Sequence, residues 1–426
     1  MSGSVFYFVD EIESTFVIHD IRRVAARFDN VYLFSVDPLE GKNNLPVNVT
    51  VFEKFIDWKN FNPAGIVLGN LLPILGIYLS ECIALGKALP LKASVATIAS
   101  NIFKAHEILR HAKQSGLNTQ ASPFYSFWFY DCIYLAWMKK SGDIQLAVSR
   151  AHSGDLYEDH ISIRNKLLMR NFQFKYLDGV FPVSDMGTNY LQRKYPGAAG
   201  RIKTIYLGSP SPGAMNPFDD THFTLVSCAS FRHHKRIHKI AEMLLHVDFP
   251  LTWHHFGDEN LDKDDPKIHE YIQRKEELRS KPNIQFIAHG QTSNENLFDF
   301  YRSTPVNLFI SLSAAEGIPV SIMEAISFGI PVLSTDVGGC REIANEETGI
   351  LIPLETEITH IAEIIKTFKT SMKNTPGFRT RVKRFWEKHF DADTNYSKFF
   401  DTLQSQETTS ETQQQINDHT NRTSKR

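Results

Sequence analysis

Two glutamates eight positions apart, Glu316 and Glu324, enclose a Gly-Ile-Pro-Val turn and precede the pair Gly338 and Gly339. The whole stretch, residues 316–342, is EGIPVSIMEAISFGIPVLSTDVGGCRE. Pro319 suits the first turn of a helix. Backbone N–H groups around Gly317, Ile318 and Val320 then stand at the positive helix end, where a diphosphate or a sugar hydroxyl can bind. If helical throughout, eight positions rise roughly 12 Å, comparable to the reach from a sugar ring across a diphosphate to a ribose. One carboxylate can therefore hold sugar hydroxyls while the other accepts from a ribose diol. The same spacing also fits a solvated Glu followed by a helix-surface Glu. Gly329, Gly338 and Gly339 weigh towards a ligand, because glycine lets the backbone turn tightly and approach closely.

The elements that must position these residues follow from the rest of the chain. Short apolar runs alternate with amphipathic stretches, the pattern of a parallel sheet covered by helices on both faces, so the fold class is α/β. Strands are predicted over residues 5–9, 31–36, 47–52, 144–149, 179–182, 203–206, 224–228, 251–256, 284–287, 306–310 and 332–334. Ser14 or Thr15 can cap a helix whose Phe16, Ile21, Val24, Ala25 and Phe28 recur at near-helical spacing, and residues 295–301 offer another. A chain of 426 residues with 42% hydrophobic content can bury two ordinary cores. We expect one domain over residues 1–210 and a second over 216–385, with a hinge in the Pro-, Gly-, Ser- and Asp-rich stretch 209–220. Terminal helices are predicted within 379–403, carrying Trp386, Phe390, Tyr396, Phe399, Phe400 and Leu403. The polar tail 405–426 buries nothing that would offset its ordering entropy, so disorder is expected there.

Composition narrows the function classes. A formal net charge of −2 argues against a nucleic-acid binder driven by bulk positive potential. Cys82, Cys132, Cys228 and Cys340 form no CxxC pair and no short disulfide framework, which suits a reducing compartment and inert thiols. The N-terminus carries no secretion signal, so a cytoplasmic location is expected. The most apolar run, residues 66–79, is interrupted by Asn70, Pro73 and Gly76 and falls short of the roughly 20 apolar residues a span needs. It reads as a buried helix of the first domain, with a surface-embedded segment as the alternative. His233–His234 and His254–His255 are adjacent pairs whose side chains diverge on a strand, with no Cys or Asp to complete a zinc-like set. No metal site is expected, and Asp219–Asp220 and Asp264–Asp265 read as ordinary loop acids. The aromatic run FYSFWFYDCIY at residues 124–134 reads as core first, and as the lining of an acceptor groove second.

Residues 316–342 resemble the signature of retaining glycosyltransferases of the GT-B fold, the glycosyl transferases group 1 or family 4. That motif is Glu-x7-Glu followed by Gly-x-Pro-Val and a Gly-Gly loop. The resemblance extends to FTLVSCASFRHHKRIH at 223–238, TWHHFGD at 252–258, NIQFIAHG at 283–290, VSRAHSGDLYE at 148–158 and the segments between 178 and 209. Glu13, Thr15 and Phe16 are similar to an opening seen in the polysaccharide-building branch. The likeness touches most of the chain, from about residue 5 to about residue 403.

It implies two Rossmann-like doubly wound domains facing a central cleft, with the C-terminal helix, residues 386–404, crossing back to the first domain. It also implies transfer of a sugar from a nucleoside-diphosphate sugar to a saccharide or lipid-linked saccharide acceptor, with no cofactor and no metal. Exopolysaccharide, capsule or lipopolysaccharide synthesis is the expected setting, with peripheral contact at the inner face of the cytoplasmic membrane and no nucleic-acid partner. By the same resemblance Lys235 binds phosphate, helped by Arg236 or Arg232, while Glu316 holds the transferred sugar and Glu324 the ribose. His152 faces the donor sugar, and groups near Ala288, His289 and Gly290 read the base. Arg150 and Asp155 form a further N-domain candidate pair, Asp155 orienting Arg150 or its loop. Two departures stand out. Ser230 occupies a position where the family often has Arg, and FVDEIEST replaces the usual Gly-Gly turn after the first strand. A catalytically silent subunit and a nucleotide-sugar epimerase are the alternative readings.

Overall fold

The computed structural model describes residues 3–9, 14–38, 44–130, 132–159, 166, 168–257 and 266–404. The expectations for Glu13, for the side chains of Ser14, Thr15 and Phe16, for Asp258 and residues 264–265, and for the tail from 405 on lie outside these residues. The chain divides into two compact units, Met1–Ile205 with residues from Tyr396 on, and Tyr206–Asn395.

The first unit contains β1 (Ser4–Val9), α1 (Ser14–Arg27), β2 (Asn30–Ser35), β3 (Val49–Glu53), α2 (Pro63–Gly69), α3 (Leu71–Leu85), α4 (Leu91–Gln114), β4 (Phe124–Ser126), α5 (Ile133–Ser141), β5 (Ala147–Ala151), α6 (Ser153–Leu156), α7 (Arg170–Tyr176), β6 (Gly179–Pro182) and α8 (Asp185–Lys194). All six strands are parallel, in the order β3-β2-β1-β4-β5-β6. Parallel strands covered on both faces must be apolar on both, and β1 shows why. Its Phe6 and Phe8 enter the core with α4 and α5, while Val5, Tyr7 and Val9 enter another with α1. Within α1, Val17, Ile21, Val24, Ala25 and Phe28 keep helical spacing and are buried. Tyr396, Phe399, Phe400 and Leu403 join that core.

The second unit contains β7 (Phe223–Cys228), α9 (Ile237–Leu244), β8 (Leu251–Phe256), α10 (Pro266–Arg279), β9 (Ile284–Gly290), α11 (Asn294–Ser303), β10 (Leu308–Ser311), α12 (Val320–Ser327), β11 (Val332–Thr335), α13 (Cys340–Ile343), β12 (Gly349–Ile352), α14 (Ile358–Lys369) and α15 (Pro376–His389). Its parallel sheet runs β12-β11-β10-β7-β8-β9. Counted from its own first strand, that is the same doubly wound order as the first sheet, with the winding reversing between β7 and β10. In such sheets ligands bind beyond the carboxyl ends of the strands at this switch point.

Several expectations change on contact with the structure. Residues 209–220 belong to the second unit and are pinned there, not a loose hinge. Asn216 Nδ2 donates to Tyr301 O at 2.6 Å and Thr304 O at 2.8 Å, and Asn216 Oδ1 accepts from Val306 N at 2.9 Å. The terminal stretch divides as well. Trp386 donates to Ser209 Oγ at 2.8 Å inside the second unit, and only the residues from Tyr396 on join the first. Residues 203–206 form no strand, although Lys203 N and Ile205 N bond to Val180 O and Pro182 O. Two strands were unpredicted, β4 and β12. β4 is three residues inside an aromatic-rich run, recognisable only by its pairing with β1 and β5. The run 66–79 is not a buried helix either: on α3 only Ile74, Ile77 and Glu81 are buried.

Candidate functional site

Within the second unit, the loops leaving β7 and β10 lie side by side because those strands are neighbours. Ala314 N donates to His234 O at 2.6 Å and ties the loops together. The β7 loop turns through a 3-10 segment, His233–Lys235, and Arg236 closes it in the left-handed region at φ 52° before α9 starts. That turn points Lys235 at the neighbouring loop, where Nζ donates to Glu316 Oε1 at 2.7 Å. Arg236 reaches a different partner. Its Nη1 donates to Leu354 O at 3.1 Å.

Glu316, Gly317 and Ile318 are in the loop, and the helix begins only at Val320 with Pro319 as its N-cap. The first intrahelical bonds run from Ile322 and Met323 to Pro319 O, which leaves the preceding N–H groups at the open helix end. The Gly-Gly loop after β11 closes over this turn. Gly339 N donates to Gly317 O at 2.7 Å. Gly338 sits at φ 54°, and a Cβ there would fall 1.7 Å from Glu316 O. No side chain fits in that approach.

Glu324 occupies the buried side of α12. Burial pushes its carboxyl up to about 8, against the opposing hydrogen bond from Asn294 Nδ2. Asn294 opens α11 after the capping Ser293. Sequence reasoning missed it, since an Asn 30 residues upstream of Glu324 carries no spacing signal. The thiols report the convergence of these groups. Cys228 is pushed up to about 12 by burial and then by Glu324, with Lys235 opposing. Cys340 is likewise raised to about 12 by burial, with Glu316 adding and Lys235 opposing.

His289 lies on β9, at the sheet edge. Its ring stacks on Phe256 at 4.0 Å, and its Nε2 is 2.9 Å from His254 Nδ1. Burial lowers both imidazoles, His254 to about 4. Among the described residues no three His, Cys, Asp or Glu side chains gather as a metal set.

In the first unit, His152 follows β5 and caps α6. Its backbone N donates to Asp155 Oδ1 at 2.6 Å, and Phe129 N donates to Asp155 Oδ2 at 2.7 Å. Asp155 thus orders the loop and not Arg150. The His152 ring packs on Phe127 and Trp128, with centroids 4.5 and 4.6 Å away. Neither ring nitrogen has a hydrogen-bond partner among the described residues. Arg150 is 0% exposed, with its guanidinium over the Tyr396 and Phe399 rings, so it is a core residue and meets no substrate.

Residues 214–382 match the family described as glycosyl transferases group 1. The O-antigen biosynthesis glycosyltransferase WbnH of Escherichia coli is 37% identical over 78 residues, 18% of this chain and 21% of the relative. The putative teichuronic acid biosynthesis glycosyltransferase TuaC of Bacillus subtilis is 28% identical over 109 residues, 26% of this chain and 27% of the relative. This chain therefore spans only about a fifth to a quarter of the curated relatives' length. Solved structures align over nearly the whole chain. Anabaena HepE in complex with UDP-glucose covers 94% of this chain and 99% of its own, with TM-score 0.64 and 18% identity. The lipopolysaccharide outer core galactosyltransferase WaaB covers 93% and 98%, with TM-score 0.62 and 14% identity. The fold is that of GT-B glycosyltransferases, two Rossmann-like domains.

Proposed function

We propose, from the match of residues 214–382 to the glycosyl transferases group 1, that the protein transfers a sugar, with retention, from a nucleoside-diphosphate sugar to an acceptor hydroxyl in surface-polysaccharide synthesis. The observation that carries this reading is the meeting of Lys235 and Glu316 at the carboxyl ends of β7 and β10. In the reaction the bond from the anomeric carbon to the diphosphate oxygen breaks and a bond to the acceptor oxygen forms on the same face. The acceptor proton passes to the leaving phosphate. Charge develops on that phosphate, so fixed cations and backbone donors supply most of the stabilisation.

In this reading the leaving-group cation is Lys235, with donors left on Arg236, and no metal is needed. The N–H groups at the start of α12 and at Gly338 supply neutral donors. Glu316 takes the sugar hydroxyls, Glu324 the ribose, and the β9 end near His289 the base. His152 is assigned to the donor sugar by resemblance alone. The relatives named for O-antigen and teichuronic acid synthesis support a polysaccharide setting. A lipid-linked acceptor would bring the protein to the cytoplasmic membrane face.

Screening the protein against a panel of nucleotide sugars by thermal shift, with Glu324→Ala alongside, tests the assignment. The wild type should respond to one donor class and the variant should not; equal responses would refute the site. Ser230, at a position where the family resemblance leads one to expect Arg, favours a second reading as a catalytically silent subunit. Donor binding without hydrolysis or transfer would select it, and acceptor-free conversion of the donor would select an epimerase.

A further inference from the structure

Between Asn60 and Ser80 the chain carries no charged residue. This run folds in the first unit as α2 and most of α3, which meet at 86°. One stripe of α3 faces inward through Ile74, Ile77 and Glu81. Glu81 is held there, accepting from Phe172 N at 2.6 Å and Asn171 Nδ2 at 3.0 Å. The outward stripe is apolar as well. Leu72, Leu79 and Ile83 follow one another at helical spacing and are 81%, 54% and 80% exposed. Leu68 on α2 is 77% exposed.

A helix apolar all round ordinarily lies in a core or in a bilayer, and a contiguous exposed apolar face marks an interaction site. At 15 residues, α3 rises ~22 Å, short of a hydrocarbon core about 30 Å thick. Bent at 86°, α2 and α3 do not add their lengths along one axis. Such a pair suits lying in an interface. The charges flanking it are mostly positive. Three exposed lysines, Lys59, Lys87 and Lys92, stand against one exposed carboxylate, Asp57, which accepts from Lys59 N at 3.1 Å and Asn60 Nδ2 at 2.8 Å. Trp58, half exposed, is of the type that anchors at headgroup level. Two copies pressed together on this face would set lysines against lysines, whereas anionic headgroups complement them.

We propose that the α2–α3 face docks on an anionic lipid bilayer, with Leu68, Leu72, Leu79 and Ile83 entering the headgroup–acyl boundary and Lys59, Lys87 and Lys92 meeting lipid phosphates. Docking does not depend on the transferase reading, since vesicle binding is measured without donor or acceptor.

The test is co-sedimentation of the full chain with phosphatidylethanolamine vesicles containing phosphatidylglycerol, against phosphatidylcholine vesicles, with light scattering in parallel. The wild type should sediment with the anionic vesicles and be released by salt. The triple variant Leu72→Ser, Leu79→Ser, Ile83→Ser should lose roughly tenfold or more of that binding, and Lys87→Ala with Lys92→Ala should lose the anionic preference. Met372→Ser, on an exposed apolar side chain of the second unit, should change nothing. An unchanged melting curve certifies folding, and the lysine pair gives a variant that leaves the apolar packing untouched. A wild type that stays in the supernatant, or variants that bind as well as it does, would overturn the proposal. So would a dimer abolished by the triple variant with no vesicle binding, which assigns the face to a second copy.

Discussion

Lys235 Nζ and Glu316 Oε1 lie 2.7 Å apart, on loops that leave two adjacent parallel strands. With the lysine 23% and the glutamate 10% exposed, the pair is mostly buried, and its attraction is largely offset by the desolvation of both ions. We read it as a placeholder, the carboxylate occupying the lysine until a phosphate arrives. Lys235→Ala, which leaves the Glu316 carboxylate without its partner, should lower the melting temperature by a few degrees while lowering kcat/KM by roughly 10²–10³. A large fall in melting temperature with activity retained would make the pair structural.

Glu324 gives a pH signature. Its carboxyl is raised from 4.5 to about 8 by burial, so the folded state holds the proton more tightly than the unfolded chain does. Stability from this group is whole below about pH 4.5 and falls as pH rises to about 8, where the loss levels off. The full effect is on the order of a few kcal/mol. Glu324→Gln should remove that slope, so melting curves of wild type and variant should draw apart between those limits. Parallel curves would show that the carboxyl titrates normally.

The Gly-Gly loop should tolerate no side chain. At Gly338 a Cβ would meet Glu316 O at 1.7 Å, on a backbone at φ 54° that disfavours any substitution. Gly338→Ala is expected to cost roughly 2–4 kcal/mol and to abolish the thermal response to nucleotide sugars. Gly197, where nothing stands within 4 Å of an added Cβ, is the control.

His152 separates packing from chemistry. Its ring rests on Phe127 and Trp128, while its nitrogens have no hydrogen-bond partner among the described residues. His152→Phe should keep the melting temperature and reduce kcat. Undiminished kcat would reduce His152 to a packing residue.

Asp20 should be the costliest polar residue of the first unit. It accepts from Tyr7 at 2.8 Å, Tyr125 at 3.1 Å and Tyr396, and its charge favours the ionised Arg150 beside them. Removing it leaves a buried guanidinium uncompensated, at about 3–5 kcal/mol, whereas Tyr396→Phe removes one bond, at about 1 kcal/mol. Chemical denaturation of both variants checks the order.

Much of this was legible in order along the chain. The alternation of apolar runs gave ten of the strands' positions to within a few residues, and local composition placed the Gly-Pro turn, Gly329 and the Gly-Gly loop. What failed were elements defined by their neighbours. β4 is a strand because β1 and β5 flank it, and Arg150 left the candidate site because the rings of Tyr396 and Phe399 cover it.

By itself the sequence determined the α/β class, the motif residues and their spacing, because hydrophobic period and glycine geometry are local properties. The tertiary structure alone decided that Lys235 meets Glu316 across 81 positions and that Asn294 reaches Glu324 across 30. It also decided that α3 presents an apolar stripe outward. Contacts between distant segments depend on strand order and helix packing, and those follow from the whole folded chain.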